Sequence, residues 1–427
     1  MLSKRLGLAL IVAIATLPPM TATFSGEPRF APTAARSIMT GDELLAAARF
    51  QPIAGKRVGL ISNHTARVGE VHLADLLSQA PNVKLTAIFA PEHGFRGSAE
   101  AGAKLADGID PQTGVPIYSL YGASREPSPS VLRNIDVMVF DIQDVGARFY
   151  TYISTMGLAM RAAARAAIPF VVLDRPNPLG GEYVSGFVLE PQLRSFVGQY
   201  PIPIVHGLTV GELAQMIRGE KWLDGLERLE LTVVKMQGWQ RTMRWPQLER
   251  AWVATSPNIP TFESALVYPG MGLVGETVVS EGRGTPAPFC LFGAPWLDGA
   301  RLAASLNALD LHGVRFEATS FTPQSIPHVA TRPRFVGKTI GGTRLVITDV
   351  ARFEPLEVGI HVLSLLAAEA RSRRIRLFEN PAFFRAIAGT RRLQRMLASG
   401  SSGADIIASW QGELAQFKAE RARYLLY

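Results

Sequence analysis

The chain has 427 residues, 47% hydrophobic and 19% charged, with a formal net charge of +8. That balance excludes a disordered, fibrous or collagen-like protein, and the length suits two domains. The lone cysteine, Cys290, excludes an internal disulfide framework.

Lys4 and Arg5 precede an apolar run from Leu6 to Leu17, and small polar residues follow it. This pattern predicts a signal peptide over residues 1–25. It implies a periplasmic or secreted protein with no membrane attachment after cleavage. The run is shorter than the ~20 residues that a membrane-spanning helix needs. Basic clusters at Arg371–Arg374 and Arg391–Arg395 lack interleaved aromatics. They read as solvated helix faces, not as a nucleic-acid surface.

From about Arg57 to Leu231, strands and helices alternate. Strands are predicted at Arg57–Ile61, Val83–Ala90, Val115–Leu120, Asp136–Phe140, Pro169–Leu173 and Leu229–Val234. Helical spacing covers His72–Leu77 and Tyr152–Ala167, a helix begins near Pro129, and another opens at Thr209 with Glu212 completing a capping box. Strands apolar on both faces that alternate with helices predict an α/β fold, its parallel sheet covered on both sides.

The stretch Trp239–Trp296 is rich in Pro, Gly and Trp and weakly periodic, so it reads as ordered loops and a domain junction. Within it Gly270–Gly275 matches G-x-G-x-x-G without a preceding strand or a following helix, and reads as a tight loop. A second α/β segment starts near Gly293 and ends in helices at Val362–Arg371, Phe383–Ile387 and Ala404–Arg421. The seven histidines are scattered. Neither a metal nor a cofactor is predicted.

In an open parallel sheet, ligands bind at the carboxyl ends of the strands. Those ends read Ser62-Asn63-His64, Pro91-Glu92-His93-Gly94-Phe95-Arg96-Gly97, Asp141-Ile142-Gln143-Asp144 with Arg148-Phe149-Tyr150, and Asp174-Arg175-Pro176-Asn177-Pro178. Four strand ends thus bring carboxylates, amides, imidazoles and guanidiniums to one rim. Glycoside hydrolysis needs a carboxylic acid to protonate the leaving oxygen and usually a second carboxylate. Glu92 is the candidate acid, because the apolar strand before it favours desolvation. Pairing with Arg96 is the alternative use of that carboxylate. Asp141 and Asp144 compete for the second role, with Asp144 better placed to face a cleft. His93 and His206 are further polar candidates, His206 at a strand-to-helix turn.

These motifs, together with Gly59–His64, Phe140–Gly146, Ser256–Pro260, Tyr268-Pro269-Gly270, Ser280–Thr285 and the terminal Tyr424-Leu425-Leu426-Tyr427, resemble the peptidoglycan exo-β-N-acetylmuramidases. That family was long described only as a domain of unknown function. The resemblance runs from about Lys56 to the C-terminus. It implies a Rossmann-like catalytic domain over residues 36–275, a smaller C-terminal domain over 276–427, and an active site between them.

The implied activity is release of N-acetylmuramic acid from the non-reducing end of peptidoglycan fragments, with Glu92 as the catalytic glutamate. The partners expected are muropeptides and muramyl saccharides, not nucleic acid. The lactyl carboxylate of muramic acid calls for a bidentate guanidinium, from Arg96, Arg148, Arg175 or Arg283. Asn63, His93, Asp141, Gln143, Tyr150, Asp174, His206 and Glu281 complete the expected binding set, and Asp144 the catalytic pair. A non-catalytic muropeptide binder and a peptidoglycan esterase or amidase are the competing functions.

Overall fold

The sheet forms from strands whose two faces are both apolar. The computed structural model describes residues 38–427 except 98, 99, 101, 104, 105 and 123, so the predicted signal peptide lies outside the described residues. Strands β1 (Arg57–Ser62), β2 (Lys84–Ala90), β3 (Gly108–Ile109), β4 (Pro116–Ser119), β5 (Val137–Asp141), β6 (Phe170–Leu173) and β7 (Leu231–Val234) make one sheet in the order β3-β4-β2-β1-β5-β6-β7. All neighbours run parallel except β3 and β4.

Successive side chains of a strand point to opposite faces, and here each face has its own core. Ile61, Phe89, Met138, Phe140, Phe170 and Val172 enter the larger one, with Tyr152 and Met156 of α3 (Tyr152–Arg165) and Leu213 of α4 (Val210–Gly219); α1 (Gly41–Ala47) and α2 (Leu73–Gln79) cover the other face. There Val58, Leu60, Ile88, Val139, Val171 and Leu173 meet Leu45, Leu73 and Leu77. The Thr209 cap is reciprocal, as read from the sequence: Glu212 N donates to Thr209 Oγ1 at 3.2 Å and Thr209 N donates to Glu212 Oε2 at 3.0 Å.

The chain runs from β1 outward to β2 and β4, then returns to β5 on the other side of β1. This is the Rossmann-like α/β arrangement. The crevice beyond the carboxyl ends of β1 and β5 is its topological switch point, where such sheets bind ligands.

The second half holds α5 (Phe262–Val274), α6 (Gly299–Asn307), α7 (Pro355–Ser372) and a three-stranded antiparallel sheet of β8 (Leu291–Gly293), β9 (Val314–Phe321) and β10 (Ile340–Ile347), ordered β8-β10-β9. Helix α5 corrects the sequence reading, which expects a tight loop at Gly270–Gly275. Its residues are buried around most of the circumference, so no polar stripe marks the helical period. The glycine pattern serves helix crossing: a Cβ on Gly270 would lie 2.3 Å from Pro355 O and 2.8 Å from Gly359 Cα of α7.

Four helices close the chain: α8 (Pro381–Ala388), α9 (Arg392–Ser399), α10 (Gly403–Ala408) and α11 (Gln411–Arg421). The single helix expected over Ala404–Arg421 is broken at Ser409–Trp410. There Trp410 turns inward and meets Phe187 edge-on at 5.1 Å. The larger core continues unbroken from the sheet into these helices. No helix among the described residues is long and apolar enough to cross a membrane.

Candidate active site

The turn after β2 positions Glu92. His93 (φ 71°), Gly94 (φ 80°) and Gly97 (φ 74°) are left-handed, and for the non-glycine His93 this is an uncommon conformation of the kind held at functional sites. Gly97 packs so closely on the end of β1 that a Cβ there would sit 2.0 Å from His64 Nδ1. The half-buried Glu92 accepts hydrogen bonds from Thr151 Oγ1 at 2.7 Å and from Gly102 N at 3.0 Å. The Tyr121 hydroxyl also binds it; burial, then the Glu92 charge, pushes that hydroxyl above its ordinary range. Every one of these neighbours is a donor. Arg96 takes a different partner, binding Asp110 through Nε at 3.1 Å and Nη2 at 2.8 and 2.9 Å.

The loop Ala254–Asn258 gathers the other strand ends. Tyr152 donates to Thr255 O at 2.6 Å, Tyr150 donates to Thr255 Oγ1 at 3.0 Å, and His64 Nε2 lies 2.5 Å from Ala254 O. Around this loop four buried polar atoms, Asn63 Nδ2, His64 Nδ1, Asp144 Oδ1 and Asn258 Oδ1, have no hydrogen-bond partner among the described residues. Buried polar groups are nearly always paired, so a concentration of exceptions at four converging loops marks a polar ligand site. Asp144 is only 6% exposed and accepts from Gly146 N at 2.7 Å. Burial pushes its carboxyl up to about 7 against the pull of the Gly146 and Val145 amides.

An aromatic wall leads away from Glu92. Ring centroids are 4.8 Å apart for Tyr150 and Tyr152, 5.8 Å for Tyr150 and Tyr268, and 5.0 Å for Tyr268 and Phe289. The Tyr268 hydroxyl is raised by burial; Arg283 opposes that shift, while Tyr150, Glu92 and Glu276 add to it. Tyr268 therefore feels the charges of Glu92, Glu276 and Arg283 together. Beside it opens a cavity of about 440 Å³, lined among others by Glu276, Glu281 and Arg283. Arg283 sits between left-handed Gly282 and Gly284, and a Cβ on Gly284 would lie 2.4 Å from Gln324 O. Its Nε binds Glu281 at 2.7 Å, and its guanidinium lies over the Phe289 ring at 5.2 Å.

The structure gathers Asn63, Glu92, His93, Asp144 and Tyr150 around the strand ends, with Glu281 and Arg283 beyond Tyr268. Six other expected site residues are turned into the scaffold. Arg175 grips Asp141 at 2.5 and 3.0 Å and Asp42 at 2.7 Å, fixing α1 to the sheet. Asp174 accepts from Thr209 Oγ1, Gly211 N and the terminal Tyr427 hydroxyl, each at 2.8 Å; burial raises its carboxyl to about 6. Arg148 is fully buried and donates to Phe187 O at 2.7 Å, Ile202 O at 2.8 Å and Ile387 O at 3.2 Å. None of these guanidiniums is free to clamp a substrate carboxylate. His206 is held neutral in the core: burial, then Arg421 and Arg148, lowers it to about 3. Gln143 ties Asp144 O to Pro176 O at 2.8 Å each.

Reasoning from sequence missed Tyr121, Thr151, Tyr152, Thr255, Asn258, Tyr268 and Glu276. Asn258 and Tyr268 do lie in the resembling motifs Ser256–Pro260 and Tyr268–Gly270. With no strand leading into them, nothing in the residue pattern ties either motif to Glu92.

Comparison with known proteins covers most of the chain. Family models for the N-terminal and C-terminal parts of the exo-β-N-acetylmuramidase NamZ match residues 58–263 and 266–427. The peptidoglycan β-N-acetylmuramidase NamZ of Bacillus subtilis (strain 168) is 43% identical over 394 residues, covering 91% of each chain. Two crystal structures of DUF1343 family proteins from Bacteroides fragilis NCTC 9343 share the fold. One has a TM-score of 0.84 at 38% identity, covering 92% of this chain and 99% of its own. The other has a TM-score of 0.75 at 35% identity, covering 91% and 99%.

Proposed function

We propose, because this chain belongs to the exo-β-N-acetylmuramidase NamZ family, that it hydrolyses the β-glycosidic bond that follows a terminal N-acetylmuramic acid in peptidoglycan fragments. The observation that carries the mechanism is the setting of Glu92, a half-buried carboxylate at a strand end whose neighbours are donors. Such a group accepts a proton from water or attacks the anomeric carbon. That differs from the acid role expected from sequence, in which Glu92 gives its proton to the leaving oxygen. Asp144, closed off beside Tyr150, serves as a positioning group for the loop that carries the tyrosines. The test is incubation with the disaccharide N-acetylmuramyl-N-acetylglucosamine, reading free N-acetylmuramic acid; an intact disaccharide would contradict the activity.

Arg283 is the guanidinium that suits the lactyl carboxylate, since it alone of the four candidates lines the cavity beside Tyr268. Replacing Arg283 by Lys keeps the charge and removes the planar fork. The expected result is a KM raised about 10- to 100-fold, the worth of one charge-assisted hydrogen bond pair at ~1.5–3 kcal/mol, with kcat little changed. A wild-type KM would remove Arg283 from the binding set.

Export to the periplasm or the exterior is supported by the Lys4–Leu17 pattern. The N-terminus of protein recovered from the cell envelope is expected near residue 25; an intact Met1 would contradict cleavage. Residues 36–275 form the Rossmann-like domain of this reading, and residues 276–427 the smaller C-terminal domain that adds Arg283 to its substrate site.

A further inference from the structure

Glycoside hydrolysis needs a proton for the departing oxygen, and the donors around Glu92 leave that role open. Asp144 is the poorer choice, since one of its oxygens is fixed on the Gly146 amide and it does not line the cavity that holds Arg283. We infer that Glu276 is the second carboxyl group of the reaction, the proton donor that works with Glu92 across Tyr268. The inference rests on the glycosidase reading above and names the residue that completes it.

Three observations carry it. Glu276 stands just past the end of α5 and lines the 440 Å³ cavity that opens beside Tyr268. The other acids of that cavity are spoken for, Glu281 by Arg283 at 2.7 Å and Glu379 by Arg334 at 2.9 Å. The Glu276 side chain forms neither a hydrogen bond nor an ion pair with any described residue, its backbone amide alone being bonded, to Leu273 O at 3.2 Å. Finally, Tyr268 lines that cavity beside Glu276, and its ring lies 5.8 Å from that of Tyr150, the neighbour of the Thr151 whose hydroxyl holds Glu92.

The groups facing Glu276 set its proton affinity. Burial raises its carboxyl to about 7 and the Glu281 charge adds to this, while Arg283 and Arg334 oppose it. A carboxyl that keeps its proton close to neutral pH is what a general acid requires. In the reaction, the bond between the anomeric carbon and the bridging oxygen breaks with its electron pair on oxygen, and that oxygen takes the Glu276 proton. Water supplies oxygen to the anomeric carbon, directly or after Glu92 has held it, and gives up one proton to a carboxylate. One water is consumed for each bond cleaved.

The experiment compares leaving groups in wild type and Glu276→Gln. A sugar alcohol is a poor leaving group and needs the proton; 4-nitrophenolate leaves without it. On the disaccharide, kcat/KM is expected to fall about 10²–10⁴-fold, and the fall on 4-nitrophenyl N-acetylmuramide to be under about tenfold. The wild-type rate, which needs the protonated acid, is expected to decline as pH rises through about 7, and this limb should vanish in the variant.

Equal losses on both substrates, or an unchanged disaccharide rate, would overturn the assignment. If the Gln variant does not fold, Glu276→Asp carries the same comparison, because a retracted carboxyl should still slow the disaccharide more than the nitrophenyl glycoside. Failure of the glycosidase reading looks different: wild type itself would release no N-acetylmuramic acid.

Discussion

Replacement of Glu92 by Gln should cut release of N-acetylmuramic acid by at least about 10²–10⁴-fold, the usual worth of a general base, on the disaccharide and on the nitrophenyl glycoside alike. The reason is chemical. A carboxamide has nearly the same shape: its oxygen can keep the Gly102 N bond that Glu92 Oε1 accepts, and its NH2, standing where Oε2 accepts from Thr151, can donate to Thr151 Oγ1 instead. It can neither take a proton from water nor attack the anomeric carbon. Folding should be undisturbed, because Glu92 is only half-buried and holds no ion pair among the described residues. The check is initial rate beside a thermal melt. Wild-type turnover by a folded Glu92→Gln protein would remove Glu92 from the chemistry.

The largest effect on stability is expected at Arg175. Its guanidinium is shared by Asp42 and Asp141, whose side chains are both 0% exposed. Arg175→Met would leave two acids buried without a counter-charge. Breaking a buried ion pair from one side costs about 3–5 kcal/mol, a large part of the ~5–15 kcal/mol that holds a typical native protein together. Urea titration of the variant measures the loss. Adding Asp141→Asn to Arg175→Met should recover part of it, since one unpaired charge is then gone. A loss under about 1 kcal/mol would mean that the triad is not what fixes α1 to the sheet.

This difference between Glu92 and Arg175 shows what residue patterns convey. Strands such as Val137–Asp141 and Phe170–Leu173 are legible because apolar runs of that length, bounded by turns and separated by helices, fit a doubly covered sheet. The rim at their carboxyl ends follows from topology alone. Direction of a side chain does not follow. Arg148 neighbours Phe149 and Tyr150, which face the site, yet it turns inward to three carbonyls. Asp174 reads as a rim carboxylate but is used to anchor the last residue of the chain. Helix α5 stays hidden because it is apolar around most of its circumference and carries Pro269 and two glycines, Gly270 and Gly272, and with it goes Glu276, just past its end. Buried ion triads and crossing helices depend on contacts between distant segments, which local periodicity does not encode.

A crystal structure of the Glu92→Gln protein soaked with N-acetylmuramyl-N-acetylglucosamine tests the shared pocket most directly. The sugar is expected with its anomeric carbon about 3–3.5 Å from the residue 92 side chain, the separation of a reacting pair, and with its lactyl group toward Arg283. Density for the disaccharide in another cavity, such as the one between Trp245, Trp252 and Arg67, with residue 92 untouched, would contradict it.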